Sequence, residues 1–184
     1  SAIRTFFPLL KKIGFVNYDD TFRANECFTE LGILFVLACR AINNVSDKTP
    51  HKDIVLERLV NIKQCAQKQG LVEMYLNKEY ENHNMWVALK LLKAFTIINW
   101  NYFLYALHCL EIGFSLDDAI EEIKKVKDQI DTITFVNEEG EKLPNTCYSY
   151  IRSFLEEAGI IKKVGSKESA LVNPSDKIFT IITL

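Results

Sequence analysis

Two phrases near opposite ends of the chain repeat one local plan, and that repetition constrains the fold more than any other feature. Near the start stands Ile3-Arg4-Thr5-Phe6-Phe7-Pro8-Leu9-Leu10-Lys11-Lys12-Ile13-Gly14-Phe15-Val16, and near the finish Ile151-Arg152-Ser153-Phe154-Leu155-Glu156-Glu157-Ala158-Gly159-Ile160-Ile161. Each reads as a short amphipathic helix closed by glycine, then an apolar pair that can begin a strand. A polar turn and a second strand-like run follow in both places.

Between these ends the pattern is helical. In the first lobe, Asn17 to Asp20 predicts a turn, Phe22 to Phe28 a returning strand, and Thr29 the cap of a helix that runs to Asn43 and Asn44. Thr49 before Pro50 predicts a helix start, and Gly70 predicts its stop after Gln69. From Leu71 to Gly113 the chain is apolar around most of each turn, with a break expected near Ile98 to Asn101, as in a buried helical centre. Ser115 with Asp118 predicts a capped helix through Ile130, acidic at its start and basic at its end as the helix dipole favours.

The last segment alternates helix and strand. Thr132 to Val136 predicts a strand, Asn137 to Glu141 a turn, and Cys147 to Ala158 a helix closed by Gly159. Ile160 to Val164 predicts a strand, Gly165 to Ser169 the tip of a wing, and Lys177 to Thr183 the returning strand. Helix, strand, helix, strand, wing, strand is the succession of a winged helix. The expected fold is therefore mainly α with small β hairpins. Winged-helix-like lobes at residues 1–48 and 115–184 flank a central helical bundle at 49–114.

A winged helix offers the helix before its wing to the major groove of DNA. With Ile151, Phe154 and Leu155 turned to the core, the outward candidates are Asn145, Thr146, Tyr148, Ser149, Arg152 and Ser153. Arg152 is the strongest candidate for base contact, because its planar fork can meet guanine through two bonds. Lys162, Lys163 and Lys167 on the wing could meet phosphates. The corresponding first-lobe residues are Arg4, Thr5, Lys11, Lys12 and Arg23, although Lys11 and Lys12 at a helix C-terminus are explained by the dipole alone.

Charge weighs against unaided attraction to nucleic acid, since the net charge is -2. Residues 1–50 carry six basic and five acidic groups, 51–114 seven and six, and 115–184 nine and thirteen, so any DNA contact must use local patches. Five scattered cysteines and three scattered histidines predict reduced, buried thiols and neither a disulfide framework nor a metal site. Glu121 to Lys124 and Glu139 to Lys142 each set acids near a lysine, but no sheet large enough to carry a nuclease centre is apparent, and no glycine-rich phosphate loop occurs. No catalytic residues and no cofactor are expected. The most apolar run, Leu31 to Ala41, is too short to span a bilayer, so no membrane contact and a cytoplasmic location are expected. The chain lacks an initiator Met and starts on a core helix, as a piece of a longer protein would.

The segments Ile3 to Gly32 and Tyr150 to Thr183 resemble winged-helix parts of the target-recognition regions of bacterial restriction endonucleases. The likeness is closest from Leu9 to Val16 leading into Phe28 to Gly32. It implies double-stranded DNA as the partner, with cutting assigned to another domain of the parent chain. A protein-interaction module built on the same lobes is the alternative, because the fold alone does not fix the partner.

Overall fold

The computed structural model describes residues 2–17, 27–130, 133, 135 and 146–181. Among them the chain is mainly helical, with one small antiparallel sheet. It divides into two compact units, Ser1–Tyr80 and Glu81–Leu184, and not at the expected limits of 48 and 114.

The first unit holds α1 (Ala2–Lys12), α2 (Glu30–Asn44) and α3 (Lys52–Leu76), then a short 3-10 turn, Lys78–Tyr80. Gly14, at φ 70, ends α1 as its sequence predicts, and Thr29 caps α2 by accepting from Gly32 N at 3.0 Å. Thr29 also donates to Gly14 O, at 2.5 Å, so one hydroxyl joins the end of α1 to the start of α2. Ile13 and Phe15 are fully buried, and the Phe15 ring lies 4.8 Å from that of Phe35.

Both helices that meet this segment carry glycine at the crossing. A Cβ at position 32 would stand 1.9 Å from Phe15 O, and one at position 70 would stand 2.5 Å from Ile13 O. Gly70 therefore does not stop α3, which continues to Leu76; it serves as the notch that admits Ile13. Thr49 does not cap α3 either. Its hydroxyl accepts from Ser46 N inside the preceding turn, and the residue before α3 is His51 in a left-handed conformation. Val16 and Phe28 form a single antiparallel bridge. The predicted turn and most of the returning strand lie outside the described residues.

The second unit begins earlier than expected because a strand interrupts the helical centre. α4 (Asn84–Phe95) leads to β1 (Ile97–Asn99), α5 (Trp100–Glu111) and α6 (Leu116–Val126). α7 (Thr146–Glu157), β2 (Ile161–Lys163), β3 (Glu168–Leu171) and α8 (Ile178–Ile181) complete it. The sheet order is β1-β3-β2, with Ile97 opposite Ala170 and Ile161 opposite Leu171. Pairing of β1 with the C-terminal hairpin places residues 81–114 in this unit. α4 is its apolar centre: Met85 to Leu92 are all buried, Lys90 among them, whose ammonium lies 3.3 Å from Asp117 Oδ1 and faces the Trp86 ring.

Ser115 caps α6 as predicted, accepting from Asp118 N at 3.1 Å, while α6 ends at Val126, short of Ile130. The returning strand is β3 and not Lys177–Thr183, where the short helix α8 stands instead. Ser169 and Leu171 alternate inward on β3; Asn173 and Pro174 end the run, and Asp176 Oδ1 accepts from Ile178 N to start α8. The predicted strand from Thr132 and turn to Glu141 lie almost wholly outside the described residues.

Candidate nucleic-acid interface

α7 and the hairpin after it bring together most of the residues singled out from the sequence. Spacing decides which way each one faces. Tyr148, Ile151, Arg152 and Leu155 share one helical stripe and are buried, with Phe154 beside them, while Ser149, Ser153 and Glu157 form the opposite, exposed row.

Arg152 is therefore not an outward residue. Its side chain is directed into the hairpin, and the residue is 9% exposed. Nε donates to Ser169 Oγ at 2.6 Å, Nη1 to Ser166 O at 2.6 Å, and Nη2 to Gly165 O and Glu168 O at 2.6 and 2.7 Å. Four of its five N–H donors are thus directed at the turn between β2 and β3. The guanidinium is solvated by main-chain carbonyls in place of water, which is what lets a charge occupy a buried site.

Tyr148, one turn earlier, is also a correction to the outward set. It is 3% exposed, and its hydroxyl lies 3.1 Å from Ile98 O and 3.0 Å from Lys167 O, positioned to donate to either. Its ring packs against Trp100 and Phe103. Burial pushes its pKa up to about 12; the Arg152 charge pulls the other way and Glu168 adds to the rise. Tyr148 and Arg152 together tie α7 to β1 and to the hairpin turn.

The turn itself is short. Val164 N and Gly165 N both donate to Glu168 O, closing the hairpin, and Trp100 N donates to Lys167 O. Lys162, Lys163 and Lys167 stand exposed around it. Lys163 reaches back to Glu156 at 3.1 Å, an exposed pair of small energetic weight. Lys162 and Lys167 have no ion pair among the described residues. Ser149 and Ser153 remain available on α7, Asn145 lies outside the described residues, and the side chain of Thr146 is not among those described.

Of the first-lobe set, the described side chains are those of Lys11 and Lys12. Lys11 is exposed and Lys12 lies over the Tyr80 ring, 5.8 Å from its centre, while Arg23 and the side chains of Arg4 and Thr5 fall outside the described set. Glu121 and Glu122 each pair at 2.6 Å with a lysine of their own helix, Lys124 and Lys125, which accounts for that charge run as a solvated face. Glu139, Glu141 and Lys142 lie outside the described residues. Among those described, no group of three or more His, Cys, Asp or Glu could hold a metal ion. The cysteines are free thiols; Cys27 and Cys109 are buried as expected, but Cys65 is exposed. No described helix is long and apolar enough to cross a membrane.

No known protein family, curated protein or solved structure matches the chain. Its functional reading therefore rests on its own geometry.

Proposed function

We propose that the second unit is a winged-helix lobe that binds double-stranded DNA mainly through the backbone phosphates. Its β2–β3 hairpin is the principal contact, and it has no catalysis of its own. The observation that carries this reading is the Arg152 clamp. Four hydrogen bonds from one buried guanidinium hold the hairpin in a single shape, and the hairpin presents Lys162 and Lys163 on β2 and Lys167 in the turn to solvent. Lysines presented in advance lose less conformational freedom on meeting a partner. The strand order β1-β3-β2, with α7 directly before the hairpin, supports the winged-helix assignment.

Turning Arg152 inward changes what kind of DNA binding is proposed. Phosphate contacts set position and base contacts set sequence preference. Among the described side chains of the outward set on α7, Ser149 and Ser153 remain to meet bases, and serine hydroxyls discriminate weakly. Recognition is then chiefly of the backbone, in a cytoplasmic protein of the restriction or related defence type whose other domains would supply cutting. Binding to a mixed-sequence duplex at low salt, weakening steeply as salt rises, is the expected result. No binding at low salt overturns the proposal.

A second reading, a protein-interaction module, is favoured by two specific observations. Val164 and Val172 stand half exposed on and just beyond the same hairpin, and Glu156 neutralises one of its lysines. A protein partner would bind independently of salt to a first approximation.

A further inference from the structure

The first unit leaves an apolar helix face uncovered. α2 packs along α3 and buries Gly32 and Ala38, Gly32 against the Phe15 backbone, while Ile33, Leu34 and Leu37 remain 48%, 45% and 55% exposed. Ordinary surface helices place charge where these residues stand. The exposed positions Glu30, Ile33, Leu37, Arg40 and Asn44 follow one another at alternating steps of three and four residues, the spacing of a helix-to-helix seam.

We infer that α2 is the seam of a symmetric dimer in which two copies of this chain pack α2 against α2 in antiparallel orientation. The order of residues along the seam selects this partner. A two-fold axis beside Phe35 sets Ile33 opposite the second copy's Leu37 and Glu30 opposite its Arg40, so both ends of the contact pair opposite charges. Glu30 and Arg40 are exposed and form no ion pair among the described residues, so each is free for such a contact. The antiparallel arrangement also sets the positive N-terminal end of each helix beside the negative C-terminal end of the other. A parallel pair would instead set Glu30 on Glu30 and Arg40 on Arg40. Because the seam lies within the first unit, it stands or falls independently of the DNA reading.

A single fifteen-residue helix offers a small contact, at the low end of specific interfaces at roughly 1,000 Å² in total, so association in the range of tens to hundreds of micromolar is expected. Sedimentation equilibrium of the full chain across that range tests it. The wild type is expected to dimerise and Leu37→Glu to abolish the dimer, with unchanged helical circular dichroism because Leu37 is exposed. Glu30→Arg or Arg40→Glu alone should weaken the dimer by about fivefold or more, since each reverses two symmetry-related pairs. The double reversal should restore it. A monomeric wild type overturns the inference, as does a dimer indifferent to the single reversals, which would place the contact elsewhere or with another geometry.

Discussion

Arg152 on α7 donates to Ser169 on β3 at 2.6 Å, and the rest of its guanidinium closes over the hairpin turn. A residue whose chemistry suits it to reading a base is instead spent on shaping the surface beside it.

Removing that side chain should loosen the hairpin before it unfolds the unit. Arg152→Ala leaves Ser169 Oγ, in a fully buried residue, and the carbonyls of Gly165 and Ser166 without the Arg152 donor, while Glu168 O keeps Val164 N and Gly165 N, and should cost about 2–4 kcal/mol. Arg152→Lys should recover less than half, because one ammonium cannot span acceptors that a planar fork reaches together. Hydrogen exchange at Val164 and Gly165, with chemical denaturation of the same variants, measures both effects. Unchanged protection of those two amides in Arg152→Ala would show that the clamp does not order the turn.

The helical glycines yield a prediction whose sign is decided by magnitude. Gly to Ala within a helix ordinarily gains about 1 kcal/mol in propensity. At position 32 the new methyl would stand 1.9 Å from a backbone carbonyl and at position 70 it would stand 2.5 Å from one, overlaps that no side-chain rotation relieves. Gly32→Ala and Gly70→Ala should therefore destabilise the first unit by about 1–3 kcal/mol net, with position 32 the worse. Gly165→Ala, where the nearest atom is 3.6 Å away, should stay within about 0.5 kcal/mol of wild type. Thermal unfolding of the three variants provides the comparison.

How much could be read in the sequence follows from how far each determinant lies along the chain. Gly14, Thr29 and Ser115 behave as predicted because a cap is settled by its immediate neighbours. Gly70 misled because a helix-stopping glycine and a glycine notched for a distant segment look alike locally, and the segment it meets is Ile13. β1 was visible only as a break in helical spacing; its strand conformation comes from pairing with β3. At the site, charge argues for an outward Arg152, while its spacing from Tyr148, Ile151 and Leu155 puts it on the buried stripe. What the spacing could not supply was the ring of carbonyls at 165, 166 and 168 that makes the buried position tolerable.

Alkaline pH should act on the second unit through Tyr148. Its folded pKa of about 12 stands above the ordinary value of 10, so the folded state holds the proton that the unfolded state has released. The resulting stability is complete below pH 10 and is lost as pH rises from 10 to 12. Tyr148→Phe should remove this part of the decline while costing about 1 kcal/mol at neutral pH for the lost hydroxyl bond. Denaturation midpoints across alkaline pH test it, and an equally steep decline in both proteins would assign the titration to other groups.

The salt dependence of duplex binding, measured on the wild type and on Lys162→Gln/Lys167→Gln, tests the account most directly. Each phosphate neutralised contributes about -0.9 to the slope of log affinity against log salt. If the hairpin lysines are the contact, the double variant should bind more weakly at every salt concentration, with a slope shallower by about 2. Equal slopes for the two proteins, or no binding by either at low salt, would contradict the hairpin as a DNA-binding element.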